Sequence, residues 1–342
     1  MNEPRKRKST GNVTLADVAK HAGVGSMTVS RALRTPELVS EKLREKIQQV
    51  VDELGYIPNK TAGALASGES YSIALILPSL VEKSSALFLP RFQQTLNKAG
   101  YQLLLGYSDY STEQEEKLLA TFLESRPAGV VVFGSIHSPR TQQLLETANT
   151  QVIEICELNT QSRYLTMAVD HFKMGKQATE HLIKRGFKKI GFIGARTQHS
   201  TLQQKLHGWQ SAMLENYLTP DHFLTTHEGP SAQLGVEGLS KLLLREAGLD
   251  ALICSHEEIA IGALFECHRR VIKVPWDIAI ISLEGTSMGA HAFPSLTCLE
   301  VDYEKMGAKA AEMLLRAIKN EEPLPRAEVS FTLQARASTS IN

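Results

Sequence analysis

Residues Val13 to Leu33 read VTLADVAKHAGVGSMTVSRAL, and their spacing predicts two short helices meeting at a tight turn. Thr14 can cap the first helix while Asp17, three residues on, answers it and favours the positive end of the helix dipole. Leu15, Val18, Ala19 and Ala22 then recur at helical spacing. Gly23 falls where this helix must stop and the backbone needs a left-handed residue, and Val24 can bury itself between the two helices. In the second helix Val29, Ala32 and Leu33 would pack on the first, which leaves Ser26, Met27, Ser30 and Arg31 pointing outward. That is the layout of a helix-turn-helix, whose second helix enters the major groove of DNA. The turn alone would equally describe an ordinary helical hairpin.

The residues after the turn narrow the choice. Ser40 is placed to cap a third helix through Leu54 in which Leu43, Ile47, Val50, Val51 and Leu54 form one apolar face, and Gly55-Tyr56-Ile57-Pro58-Asn59 ends it sharply. With VTLADVAKHAGVG, MTVSRALR, VSEKLREKI and ELGYIPN in place, followed by Lys60-Thr61-Ala62-Gly63-Ala64-Leu65-Ala66, the sequence resembles the lac repressor and galactose repressor family over nearly its whole length. The resemblance implies that residues 59–69 are a hinge helix that forms on operator DNA beside its twin from a second subunit, with Leu65 wedged into the minor groove and Ala62 one turn earlier. It also implies a DNA-contacting set of Thr14, Ser26, Met27, Thr28, Ser30, Arg31, Asn59, Ala62 and Leu65. Arg31 suits a phosphate or guanine, and Met27 a thymine methyl. Independently of family, a brief segment containing Gly63 is too short to be a stable helix alone. Gly25 stands where a Ser or Thr would cap the reading helix, so that cap is expected to be weak.

The 342 residues suffice for two or three domains, and the formal net charge of zero hides an asymmetry. Residues 1–60 hold eleven Lys or Arg against seven Asp or Glu, and the remainder 26 against 30, so the basic end is the end with the helix-turn-helix. Arg5-Lys6-Arg7-Lys8 has no apolar run behind it and does not read as a secretion signal; it reads as a solvated tail, expected to add nonspecific phosphate contacts on DNA. No apolar run approaches a membrane span. Cys156, Cys254, Cys267 and Cys298 are far apart, without metal-type pairing, and read as reduced buried thiols of a cytoplasmic protein.

From Tyr71 onward strand-like runs such as SIALILP, YQLLLGY, GVVVFG, KKIGFIGA, DALICS and IAIIS alternate with helical patterns, the signature of parallel sheets covered by helices. Two successive series predict two lobes with a cleft at their strand ends. The fold expected is therefore α/β: a small all-α head plus a two-lobed core which the resemblance identifies as periplasmic-binding-protein-like, with three crossovers. The expected boundaries are 1–58 for the tail and head, 59–69 for the hinge and 70–342 for the core. Lobe 1 would take about 70–166 and 302–328, and lobe 2 about 167–301 and 329–342.

Candidate effector-binding residues come from the resemblance, each with a plainer alternative. Asp170 matches an aspartate that accepts hydrogen bonds from effector hydroxyls; it can also cap the helix beginning at His171, instead of that role or together with it. Lys205, in register with Gly208-Trp209, matches a ligand-contacting basic position, against the ordinary reading of a solvated lysine. Arg196 follows the GFIGA strand. IHSPRTQQLLE, ILPS and ALFECHR look most like the branch that represses gluconate-utilisation operons, which places Arg140 and Thr141 near the cleft; otherwise Pro139 starts a helix with Arg140 exposed. His256-Glu257 and Ser282-Leu283-Glu284 depart from the family's usual Asn-Asp and Gly-aromatic patterns, which makes His256 and Glu284 further candidates and alters the pocket's polarity. Basic groups converging there would favour a carboxylate or phosphate on the ligand.

No catalytic constellation, metal site or cofactor is expected. His256-Glu257 lacks a second His one turn on, Ala occupying position 260, and Gly191-Phe192-Ile193-Gly194 lacks dinucleotide-binding spacing. The expected function is a DNA-binding transcriptional regulator, a homodimeric repressor of sugar-acid catabolism genes on double-stranded operator DNA, controlled by a small molecule such as gluconate or a phosphorylated relative. The alternative is a sugar-binding module without regulatory DNA binding.

Overall fold

A computed structural model describes residues 13–57, 70–158, 162–245, 248–285, 287–322 and 324–340. The chain divides into two compact units, Met1–Ser70 and Tyr71–Asn342.

In the first unit α1 (Leu15–Ala22), α2 (Ser26–Arg34) and α3 (Glu41–Leu54) surround a small core of Val18, Ala19, Ala22, Val29, Ala32, Ile47, Val50 and Val51. The expected capping box is present: the Thr14 amide donates to Asp17 Oδ2 at 2.9 Å and the Asp17 amide to Thr14 Oγ1 at 3.4 Å. The Thr14 hydroxyl bond holds the Asp17 carboxyl below its ordinary value. Gly23 ends α1 at φ 69° and Gly55 ends α3 at φ 62°, left-handed positions that a side chain would strain. Ser40 occupies the N-cap position of α3 but makes no side-chain capping bond, so that expectation holds for place and not for contact. The expected hinge residues Asn59, Ala62 and Leu65 lie outside the described residues, as does the basic run Arg5–Lys8.

The second unit holds two six-stranded sheets. In lobe 1, β1 (Ser72–Leu77), β2 (Gln102–Tyr107), β3 (Gly129–Phe133), β4 (Gln151–Glu157), β5 (Leu165–Val169) and the late β11 (Arg326–Glu328) run parallel in the order β11-β5-β4-β3-β1-β2. Helices α4 (Lys83–Lys98), α5 (Thr112–Glu124) and α6 (Pro139–Thr147) cover it. Lobe 2 begins with α7 (His171–Ile183), β6 (Ile190–Gly194), α8 (Ser200–Glu215), β7 (Phe223–Thr225) and α9 (Ala232–Arg245). It continues through β8 (Ala251–Cys254), α10 (Glu257–Arg269), β9 (Ala279–Ser282), α11 (Ser287–Ala290) and β10 (Thr297–Val301). Its sheet order is β12-β10-β9-β8-β6-β7, with β12 (Phe331–Gln334) antiparallel to β10 and the other pairs parallel. Strands such as β1 are buried almost end to end because helices lie on both faces, which is why they read as unbroken apolar runs.

Three crossovers join the lobes: β5 into α7, β10 into α12 (Tyr303–Ile318), and β11 into β12. Helix α12 packs on α4, returning to lobe 1. The first crossover lies later than the expected boundary at 166, because β5 pairs with β4 through Val169 and so belongs to the first sheet. Asp170 and Asp302 stand at equivalent places in two of the crossovers, each accepting from a backbone amide three residues on: Lys173 N at 2.8 Å and Lys305 N at 2.9 Å. Cys254, Cys267 and Cys298 are free and buried. Among the described residues no helix is long and apolar enough to cross a membrane.

Candidate functional site

On the head, α2 buries Val29 and Ala32 and turns its other face outward. Ser26 and Arg31 are exposed, Met27 is 69% exposed, and Thr28 and Ser30 are half-buried. Gly25 provides the N-cap backbone with no side-chain bond, as expected. Among the described residues Arg31 forms no ion pair, and the acidic residues that could neutralise α2 are absent from its first turn. An uncompensated guanidinium on an exposed helix face beside short hydroxyl side chains is suited to phosphate or base edges. Thr14 is exposed at the start of α1, with its hydroxyl committed to Asp17 at 2.6 Å.

In the second unit a cavity of about 290 Å³ opens between the lobes, at the carboxyl ends of the strands. Pro78 after β1, Gly134 after β3, Arg196 after β6, His256 after β8 and Glu284 after β9 all reach it. Four of the six expected effector residues line it: Arg196, Lys205, His256 and Glu284. Two do not. Asp170 caps α7, one of its carboxylate oxygens, Oδ1, accepting from the Lys173 amide. Arg140 lies exposed on the first turn of α6 and donates to Gln143 Oε1 at 2.8 Å, so the plainer reading of a helix start holds there.

Lys205 is 3% exposed, far from the solvated lysine of the ordinary reading. It reaches the cavity because α7 and α8 meet backbone to backbone: a Cβ at Gly175 would come within 2.0 Å of Lys205 O, and one at Gly208 within 2.0 Å of Phe172 O. Its Nζ donates to Glu284 Oε1 at 2.7 Å and to Ser255 O at 3.2 Å. His256 Nε2 lies 3.7 Å from the same carboxylate oxygen, and its Nδ1 is 2.8 Å from Ser255 Oγ. Burial alone would raise the Glu284 carboxyl, but Lys205 and then His256 outweigh it and hold it at about 2. Burial, seconded by Lys205, pushes His171 down to about 3, so this imidazole is neutral with Nδ1 unpartnered on the cavity wall. Burial also lowers His256.

Lobe 1 contributes residues that the sequence did not single out. Glu82, at the N-cap of α4, accepts from Arg196 Nη2 at 2.9 Å and Nε at 3.1 Å across the cleft. The Tyr110 hydroxyl also donates to Glu82, and its ring lies 3.7 Å from the Arg196 guanidinium carbon. Burial, then Glu82, raises the Tyr110 phenol. Deeper in lobe 1, His137 bridges two buried carboxylates, with Nδ1 2.7 Å from Glu115 Oε1 and Nε2 3.6 Å from Glu154 Oε1. Burial opposes the charge, yet the two glutamates bring His137 up to about 9. The basic groups expected in the cleft are there, and each already meets a carboxylate of the chain: Arg196 meets Glu82 and Lys205 meets Glu284. Glu82 was findable as a residue just beyond a strand end, the place that also yields Arg196; its pairing, across 114 residues of chain, was not.

Comparison with known proteins agrees with this division. Residues 14–59 match the family described as bacterial regulatory proteins, lacI family, and residues 179–339 match a periplasmic binding protein-like domain. The HTH-type transcriptional regulator GntR of Escherichia coli (strain K12) is 35% identical over 326 residues, which is 95% of this chain and 98% of that one. Among solved structures, a PurR family transcriptional regulator from Vibrio parahaemolyticus is 72% identical, with a TM-score of 0.77 over 80% of this chain and all of that one. Transcription regulator GntR from Chromobacterium violaceum is 30% identical, with a TM-score of 0.75 over 78% and 99% of the two chains.

Proposed function

Since the chain belongs to the LacI family of bacterial regulatory proteins and is a DNA-binding transcriptional regulator, we propose that it represses genes of sugar-acid catabolism and that a gluconate-type effector in the interlobe cleft sets its affinity for operator DNA. It acts in the cytoplasm, as a homodimer on a palindromic duplex and not as an enzyme. The observation that carries this reading is the pairing, in one chain, of a helix-turn-helix whose exposed Arg31 has no ion pair among the described residues with a cleft built of buried polar groups.

In this reading Arg31 contacts phosphate or guanine, Ser26, Thr28 and Ser30 face the groove, Met27 meets a thymine methyl, and Thr14 positions the start of α1 on the backbone. Asn59, Ala62 and Leu65 form the hinge contact, with Leu65 as the wedge. The gluconate class is supported by the resemblance of IHSPRTQQLLE and ALFECHR to the gluconate branch and by the 35% identity to the Escherichia coli GntR. Hydrogen-bonding groups on both walls, among them Ser108, Gln198 and His171, suit a polyhydroxylated ligand.

The test is a fluorescence-anisotropy titration of duplexes from upstream of the gene and its neighbours, at fixed salt, with and without gluconate. A specific duplex bound more tightly than random competitor, with affinity shifted by gluconate, is the expected result. Arg31→Ala should weaken that binding by about tenfold or more while leaving thermal stability unchanged. Binding indifferent to sequence, or unmoved by sugar acids, would overturn the corresponding half of the proposal.

A further inference from the structure

The two cations of the cavity are neutralised in different ways. Lys205 and its partner Glu284 both belong to lobe 2, so their 2.7 Å contact survives any separation of the lobes. Arg196 is on lobe 2 and Glu82 on lobe 1, so theirs does not. The geometry of Arg196 is fixed from behind: it sits at φ 58°, and its amide donates to Glu228 O at 3.0 Å. Its guanidinium lies against the Tyr110 ring, and Tyr110 in turn meets His199 edge-on with centroids 4.4 Å apart. The Glu82 side chain, 16% exposed, accepts from both Arg196 and Tyr110 and so closes a clasp at the cavity wall.

Resting on the sugar-acid reading above, we propose that Glu82 is a tethered competitor for the effector's carboxylate and thereby the residue that sets the cleft's preference between acid and neutral ligands. A guanidinium fork accepts a carboxylate in paired hydrogen bonds. Glu82 already supplies one. Arg196 Nε and Nη2 both donate to one Glu82 oxygen, Oε1, so an acid effector takes that edge of the guanidinium only by displacing Glu82, and it then breaks an ion pair that joins the two lobes. A neutral polyol leaves the clasp in place and must bind by the remaining hydroxyl and imidazole groups alone. Acid binding is thus coupled to release of a lobe-to-lobe contact, whereas polyol binding is not. The cost of exchange is the loss of an internal partner whose tether keeps it at high local concentration.

The experiment measures binding of D-gluconate and D-glucitol to the full-length protein by isothermal titration calorimetry, for the wild type, Glu82→Gln and Arg196→Gln. Glutamine preserves the shape of Glu82 and can still accept from Tyr110, but it holds no charge against Arg196. Glu82→Gln is expected to bind gluconate about tenfold or more tightly than wild type, with glucitol binding unchanged. Arg196→Gln, which removes the guanidinium that both carboxylates seek, is expected to bind gluconate no more tightly than glucitol. Equal gluconate affinity in wild type and Glu82→Gln, or a parallel gain for gluconate and glucitol, overturns the exchange while leaving the sugar-acid reading in place. If none of the three proteins binds gluconate although each still binds operator DNA, both the exchange and that reading fall.

Discussion

On α2 the Arg31 guanidinium stands in solvent without an ion pair among the described residues, whereas in the cleft Arg196 and Lys205 each meet a glutamate within hydrogen-bond distance. The difference follows from burial. At an exposed site an unpaired cation is well hydrated and costs nothing until a polyanion arrives. Inside the lobes a charge without a partner would be expensive, so the core carries its counter-charges with it. On the proposed reading the head recognises by addition of contacts, and the cleft by exchange of them.

The strongest way to break this contrast is to remove a core cation. Lys205→Met leaves the Glu284 carboxylate buried without its nearest partner, and should lower stability by about 3–5 kcal/mol, read from urea midpoints, while Arg31→Ala should leave the same midpoint within about 0.5 kcal/mol of wild type. Comparable losses in the two variants would erase the distinction.

A second probe is pH. His137 is protonated up to about 9 in the folded protein by Glu115 and Glu154, against about 6.5 in an unfolded chain. Its contribution is thus complete below about pH 6.5 and disappears as pH rises through about 9. Stability should fall by up to about 3 kcal/mol across that window, and His137→Gln should flatten the fall. The smallest effect belongs to the head. Thr14→Ala removes one side of the capping box and should cost about 1 kcal/mol, visible as faster hydrogen exchange at the Asp17 amide with no change in gluconate binding.

How far the sequence was legible depends on the range of the interactions. The head is written locally: Thr14 and Asp17 are three residues apart, Gly23 and Gly55 stand at their turns, and the apolar positions of α1 to α3 are the ones that became the core. The alternation of strands and helices in the lobes was equally readable, because each strand is a short apolar run bounded by turn residues. Short late strands such as β11 and β12 carry no such signal; they are three and four residues long and depend on the sheet edge that they join. In the cleft the identities of Arg196, Lys205, His256 and Glu284 were within reach, yet the pairings that decide their chemistry were not. Asp170 shows the converse, since its cap, a contact three residues away, was legible from sequence.

The connections between the lobes carry one more consequence. Strands β5 and β11 are neighbours in the first sheet, β10 and β12 in the second, so the three linking segments run side by side. Two of them are pinned by aspartates that hold the first turn of the following helix. Parallel tethers of this kind permit folding about a line that passes through them and oppose twisting or sliding. Whatever molecule enters, the core is left with essentially one soft coordinate, and the energy gained on one wall is delivered as an angle rather than dispersed as slack.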